Sequence, residues 1–193
     1  GSEMCIRDRV MGLLGGAGYA EKVVIHSQML LPIPANLTFP EAASLPEVYF
    51  TSYDALFNQC ALKIDESVLI HAAGSGVGTA AIQLARLVGA KTFGTMGSPS
   101  KLTEAIKLGL DVGINYQDQE FEAVVHAQTA GLGVDVILDV IGGPYFNANL
   151  RSLALRGRLV LVGSMGGSQV ETDLRLLSSK RLRIHGTVLR LSL

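Results

Sequence analysis

From Ile64 onward, short apolar runs alternate with stretches in which apolar residues recur at helical spacing. The runs predict strands at 67–71, 91–95, 111–115, 134–140, 158–162 and 183–188. The periodic stretches predict helices at 77–88, 100–108, 121–129, 145–152 and 173–179. Such alternation is typical of a parallel sheet that is covered on both faces and joined by right-handed crossovers. The pattern therefore predicts an α/β fold with a doubly wound parallel sheet over residues 60–193.

The first 59 residues follow a different rhythm, and this change places a predicted domain boundary near residue 60. Alternation at 19–25 predicts a strand, while Pro40 and Pro46 each open a predicted helix. Residues 1–9 show neither period, and we interpret them as a non-native segment. Because the last residues also stop without a cap or turn, we expect the chain to be a fragment of a longer protein.

A glycine-rich turn follows the first strand of the sheet region; it consists of Gly74, Ser75, Gly76, Val77 and Gly78. Glycines let the backbone approach a phosphate closely, and the next helix offers free N–H groups and a partial positive charge at its N-terminus. The order strand, turn, helix predicts a pyrophosphate site in a Rossmann-type sheet. The spacing is GxGxG rather than the strict GxGxxG, so an ordinary tight turn stays the alternative.

The end of the second strand bears on the choice of cofactor. A site for NAD places an acidic residue about 20 residues after the loop, where it binds the ribose hydroxyls. Residues 94–101 contain no acid, whereas Ser98 and Lys101 can bind and neutralise a 2′-phosphate. The sequence thus favours NADPH over NADH and counts against a methyltransferase. The alternatives are a helix N-cap for Ser98 and a solvated surface charge for Lys101.

Other strand ends carry small residues, which leave room for a cofactor to lie across the sheet. Tyr116 follows the third strand and either packs on the adenosine phosphate or is a half-buried boundary residue. For Asp139 we favour a hydrogen bond to nearby backbone over catalysis, and for His71 a structural role over that of a general acid.

Composition narrows the function classes further. The chain has 193 residues, 48% of them hydrophobic, and a formal net charge of −1. No apolar run approaches the roughly 18 residues of a spanning helix, and no basic field is available to hold nucleic acid. Two cysteines and four scattered histidines suggest neither a disulfide framework nor a metal site. We therefore expect a cytoplasmic protein without a metal, a nucleic-acid partner or a membrane partner.

Four segments together resemble the zinc-free quinone oxidoreductases of the medium-chain dehydrogenase/reductase superfamily. They are the stretch 16–21 (GAGYAE), the connecting segment 42–51, the loop 71–84 (HAAGSGVGTAAIQL) and the strand end 139–143 (DVIGG). The resemblance extends over about residues 10–193. It implies that residues 10–59 are a remnant of a GroES-like catalytic domain with its connecting helices. It also implies that 60–193 form an NADPH-binding domain whose C-terminal return is missing.

The resemblance further implies an NADPH-dependent enzyme that reduces quinones or related enones and is a homo-oligomer when full length. Thr51 would lie near the nicotinamide carboxamide, the turn 74–78 on the pyrophosphate, and Ser98, Lys101 and Tyr116 on the 2′-phosphate. The ribose and nicotinamide would be lined by Ile141, Gly142, Ser164 and Met165. No catalytic residue is assigned, and the fragment itself is expected to be inactive. The alternatives are an enoyl or alkenal reductase of the same superfamily and a non-catalytic NADPH-binding module.

Overall fold

The computed structural model describes residues 7–189, so that Cys5 and most of the predicted non-native segment lie outside the described residues. An N-terminal part contains β1 (Val10–Gly12), a 3₁₀ turn (Ser27–Met29), β2 (Leu30–Pro32), α1 (Phe39–Ala43), α2 (Leu45–Tyr53) and a π-helical turn (Asp54–Gln59). The sheet region contains β3 (Ser67–Ile70), α3 (Gly76–Leu87), β4 (Lys91–Met96), α4 (Pro99–Lys107), β5 (Val112–Asn115), α5 (Phe121–Gln128), β6 (Val134–Asp139), α6 (Gly143–Ser152), β7 (Leu153–Leu161), α7 (Arg175–Lys180) and β8 (Arg183–Gly186).

The six strands β3 to β8 form one parallel sheet in the order β5-β4-β3-β6-β7-β8. The strand order reverses beside β3, which pairs with β4 on one side and β6 on the other. This is the topology of a doubly wound sheet, in which ligands bind at the carboxyl ends of the strands near the reversal. The α/β fold that the sequence pattern predicts is confirmed.

Both faces of the sheet are buried, which explains why its strands are continuous apolar runs. Val68 and Ile70 face a core shared with α3, while Leu69 between them faces a core shared with α5 and α6. All three side chains are fully buried. Alternate residues of one strand therefore stabilise opposite layers of the domain.

The predicted strand at 19–25 is wrong. The segment is irregular, and the side chains of Tyr19 and Val24 are fully exposed. The short antiparallel pair in this part of the chain is instead β1 with β2. Alternation alone does not make a strand, because each strand needs a neighbour to satisfy its backbone N–H and C=O groups.

The segment between the two parts of the chain is tied to the sheet by Arg158 of β7. Its guanidinium donates to both carboxylate oxygens of Glu66, at 2.9 and 2.5 Å, and to the Cys60 carbonyl at 2.8 Å. Burial acts to raise the pKa of the Glu66 carboxyl, but the hydrogen bonds and charge of Arg158 outweigh it, so this pKa is lowered.

Among residues 7–189, no helix is long and apolar enough to cross a bilayer.

Replacing this arginine tests the tie directly. We expect Arg158→Met to lower the free energy of unfolding by roughly 1–3 kcal/mol at pH 7, because Glu66 and the Cys60 carbonyl lose their donor. The lowered pKa of Glu66 means that the contribution is complete above about pH 4.3 and is lost as the pH falls. Urea unfolding at pH 7 and pH 3.5 measures both effects. Arg175→Met, which breaks the exposed pair with Asp173, is the control and should have no measurable effect.

Candidate functional site

The turn between β3 and α3 lies at the carboxyl edge of the sheet and presents unpaired backbone donors. Ser75 is the N-cap of α3, and its hydroxyl accepts from the Gly78 N–H at 3.1 Å. Among the described residues, no acceptor bonds the N–H groups of Gly76 and Val77. These two donors at the start of a 12-residue helix are suited to bind an anion.

Each glycine of the turn has a different neighbour. A Cβ on Gly78 would lie 2.5 Å from the Ala72 carbonyl oxygen and 2.6 Å from the Ala73 Cα, so only glycine lets α3 approach the end of β3. A Cβ on Gly74 would lie 3.0 Å from the Lys101 Cδ, because the aliphatic stem of Lys101 covers Gly74. The predicted phosphate turn and the predicted 2′-phosphate lysine are thus in contact.

Two adjoining clefts lie along this edge and share Met165. The first cleft has a volume of about 390 Å³, and six of the predicted site residues line it: Gly74, Ser75, Lys101, Tyr116, Ile141 and Met165. The second cleft, of about 430 Å³, is lined by Thr51, Val77 and Met165. Gly142 and Ser164 line a third cleft of about 610 Å³. These residues come from distant parts of the chain, as the resemblance implies, and their binding roles stay predictions.

Gly76, Gly78 and Ser98 do not line these clefts. Ser98 occupies the N-cap position of α4 but makes no capping hydrogen bond; its hydroxyl lies 2.7 Å from that of Ser100 instead. Tyr116 is about half exposed, and its ring packs against Gly97, where a side chain would collide with it.

The loops after β6 and β7 are joined to each other by backbone hydrogen bonds. Met165 donates to the Val140 carbonyl at 3.1 Å, and Gly166 donates to the Ile141 carbonyl at 2.8 Å. Gly142 has a φ of +86° and lies so close to the Gly167 carbonyl that a Cβ would be 2.6 Å from it. The walls of the clefts are therefore held by main-chain contacts.

A buried polar network, which the sequence did not reveal as a unit, lies beneath the first cleft. The ring of His71 is 3.0 Å from the Thr95 hydroxyl through Nδ1 and 2.7 Å from Asn149 Oδ1 through Nε2. Asn149 Nδ2 donates to Asp139 Oδ2 at 3.0 Å. The other oxygen of Asp139 accepts from the Ile141 N–H at 2.6 Å and from Gly142 at 3.1 Å.

The electrostatics of this network follow from its burial. Burial lowers the pKa of His71 to about 4, and the hydrogen bond to Asn149 only partly opposes this. Burial also raises the pKa of Asp139, against the effect of its three N–H donors. His71 is therefore neutral at pH 7 and packs edge-on against Phe121 and Tyr145. The structural interpretation of His71 and the backbone role of Asp139 agree with this geometry.

The chain is similar in sequence to known dehydrogenases and reductases. Residues 76–192 match the family model described as zinc-binding dehydrogenase. Quinone oxidoreductase-like protein 2 of Bos taurus is 35% identical over 93% of this chain and 52% of its own length. Among the described residues of this chain, no group of three or more His, Cys, Asp or Glu side chains is placed to hold a metal ion.

Solved structures of reductases are similar to this chain in fold and in sequence. Escherichia coli quinone oxidoreductase, complexed with NADPH, has a TM-score of 0.76 and 32% identity over 84% of this chain and 50% of its own. The CurK enoyl reductase has a TM-score of 0.75 and 32% identity over 86% of this chain and 49% of its own. The chain spans about half the length of the bovine protein and a tenth or less of the polyketide synthases that it also matches.

The close approach of α3 to β3 predicts the effect of a single methyl group. We expect Gly78→Ala to destabilise the domain by about 1–3 kcal/mol, because backbone must move to admit the Cβ. This loss outweighs the gain of about 1 kcal/mol in helix propensity. Gly15→Ala, where nothing lies within 4 Å of the added carbon, is the matched control. Equal unfolding midpoints in urea for the two variants would contradict the packing role.

The neutral histidine predicts a pH dependence. Since the pKa of His71 is about 4 in the folded state and about 6.5 in the unfolded state, the unfolded chain binds more protons between these values. This histidine should therefore reduce stability by up to about 3 kcal/mol as the pH falls from 6.5 to 4. Unfolding measurements on the parent and on His71→Gln isolate the effect. Identical pH slopes for the two proteins would refute it.

Proposed function

The chain belongs to the zinc-binding dehydrogenase family of the medium-chain dehydrogenase/reductase superfamily, and we propose that it forms the NADPH-binding half of a reductase acting on quinones or electron-poor enones. The membership confirms the resemblance predicted from the sequence. The proposal is supported most directly by one observation: the stem of Lys101 covers Gly74, and Gly74 belongs to the same turn as the unpaired N–H groups of Gly76 and Val77.

The residues present fit a phosphorylated dinucleotide. Gly74 lets the stem of Lys101 lie against the turn, and the donors at the α3 N-terminus are suited to a pyrophosphate. Lys101 and Tyr116 line the same cleft, and the segment 96–101 at the end of β4 contains no carboxylate to repel a 2′-phosphate. Ser98 would add a hydroxyl donor from the N-cap position of α4.

The chain's own residues would bind and orient the remaining part of the cofactor. When bound, a reduced nicotinamide supplies a hydride to an electron-poor acceptor. Thr51, which is nearly buried on α2, would hold the carboxamide in the second cleft. Ile141, Gly142, Ser164 and Met165 would enclose the ribose and the nicotinamide and exclude water from them. These contributions are those of positioning rather than of acid or base chemistry.

A second candidate, an enoyl reductase, is favoured by the similarity to the CurK enoyl reductase and by the matches to polyketide synthases. Oxidation of NADPH by the whole reductase, of which this chain would be one half, with quinones and with conjugated enones as acceptors, separates the two activities. Binding of NADPH without turnover on either acceptor would favour a non-catalytic binding module. The proposal also includes a cytoplasmic location and self-association, for which β8 is available at an edge of the sheet.

Charge reversal at Lys101 tests the choice of cofactor. We expect Lys101→Glu to raise the dissociation constant of NADPH at least tenfold more than that of NADH, because the new carboxylate repels the 2′-phosphate. Lys107→Glu changes the net charge equally but lies farther along α4, in an exposed pair with Glu104, and should change neither constant more than about twofold. Isothermal titration of both nucleotides gives the values. Equal losses for the two nucleotides in Lys101→Glu would overturn the assignment.

A further inference from the structure

Four polar side chains beneath the first cleft form one continuous hydrogen-bonded chain. Thr95 lies on β4, His71 follows β3, Asn149 lies on α6 and Asp139 ends β6. Each of them is 0 or 1% exposed, and they connect residues 24, 78 and 10 positions apart in sequence. Buried polar groups are costly unless every one is satisfied, so an arrangement of this length needs a definite order of donors and acceptors.

Asp139 determines that order. Both of its oxygens accept from N–H groups, Oδ1 from Ile141 and Gly142 and Oδ2 from Asn149, so Asn149 presents its Nδ2 to Asp139 and its Oδ1 to His71. The neutral ring of His71 then carries its proton on Nε2 and donates to Asn149. The remaining ring nitrogen, Nδ1, accepts from the Thr95 hydroxyl. In each of the three links between Thr95 and Asp139, the donor is therefore on the Thr95 side and the acceptor on the Asp139 side.

At its Asp139 end, the hydrogen-bonded network binds backbone N–H groups that belong to the candidate site. The second oxygen of Asp139 binds the N–H groups of Ile141 and Gly142, which begin the turn into α6. Ile141 lines the first cleft and Gly142 the third, and Thr95 lines the first cleft at the opposite end of the network. The network thus runs beneath the clefts from one wall to the other.

We propose that Asn149 is a positioning residue, whose amide bridges His71 to Asp139 and so holds the Ile141–Gly142 turn in the geometry that receives the cofactor. The part of this inference that concerns cofactor affinity rests on the proposed function. The part that concerns the turn does not, because it is a property of the ligand-free protein.

An exchange of the two side chains tests the polarity of the bridge. In Asn149→Asp at pH 8, a second acidic group replaces the amide donor and faces Asp139 across the present 3.0 Å hydrogen bond. In the double variant Asp139→Asn with Asn149→Asp, residue 139 again accepts from the two N–H groups. Its own amide then donates to residue 149, so that the hydrogen bond between the two residues again has a donor and an acceptor. Ser152→Ala removes a buried hydroxyl from the same helix that has no partner among the described residues, and it is the matched control.

Amide hydrogen exchange of the full chain without ligand is the first measurement. For Asn149→Asp we expect the Ile141 and Gly142 amides to exchange at least tenfold faster, while the Leu69 amide in the centre of β3 is unchanged. The double variant should restore both rates to within about threefold of the parent, and Ser152→Ala should leave them unaltered. Unchanged exchange in Asn149→Asp, or failure of the folded double variant to restore protection, would overturn the positioning role.

The dissociation constant of NADPH is the second measurement, and it should rise at least tenfold in Asn149→Asp and recover in the double variant. If the parent chain binds no nicotinamide nucleotide, the proposed function fails while the exchange rates still decide the role of Asn149. Should the single variant not fold, the ¹⁵N shifts of the His71 ring in the parent decide it. The proton must lie on Nε2, and a proton on Nδ1 would refute the bridge.

Discussion

A parallel sheet buried on both faces is the constraint from which the rest of the structure follows. Parallel strands bring all their carboxyl ends to one edge. After each strand, the backbone must leave the sheet at this edge within a few residues and enter a helix. At the reversal beside β3 the crossovers part, and this opens the clefts. The close contact of Gly78 with the residues that follow β3 then determines how near the start of α3 lies to that edge. Free N–H groups appear at the clefts because the helix starts there.

Burial on both faces also explains how much of the fold can be predicted from the sequence. Val68, Leu69 and Ile70 are all apolar because each faces a core, so the strands stand out as runs against the helical period. The same argument fails at 19–25, where the residues alternate but none of the strands within 7–189 lies beside them. β1 and β2, which do pair, are only three residues long and carry too little pattern to be recognised.

For the site, the sequence indicates features whose signal is local and does not indicate contacts that are long-range. The turn 74–78 and the acid-free segment 94–101 can be recognised because neighbouring residues carry the signal. The resemblance implied that Gly74 and Lys101 bind different phosphates of one cofactor, and the structure adds that the two residues are in contact. The bond between His71 and Asn149 joins residues 78 positions apart, and no pattern in either segment indicates it. Asp139 lies between these cases, since its partners Ile141 and Gly142 are adjacent but Asn149 is on the next helix.

In the buried network, each polar group needs a hydrogen-bond partner that the next side chain supplies, beginning with the backbone N–H groups. Gly142 has a positive φ, and the turn that it forms aims two N–H groups inward, where an apolar neighbour would leave each unpaired at a cost of about 1–3 kcal/mol. A carboxylate at Asp139 satisfies both, but its other oxygen then requires a donor, which Asn149 provides. The amide oxygen of Asn149 requires a donor in turn, and a neutral histidine supplies one only if its second nitrogen is also satisfied. This series of partners ends at Thr95, which lines the first cleft, because a hydroxyl that donates to the ring does not itself require a further donor.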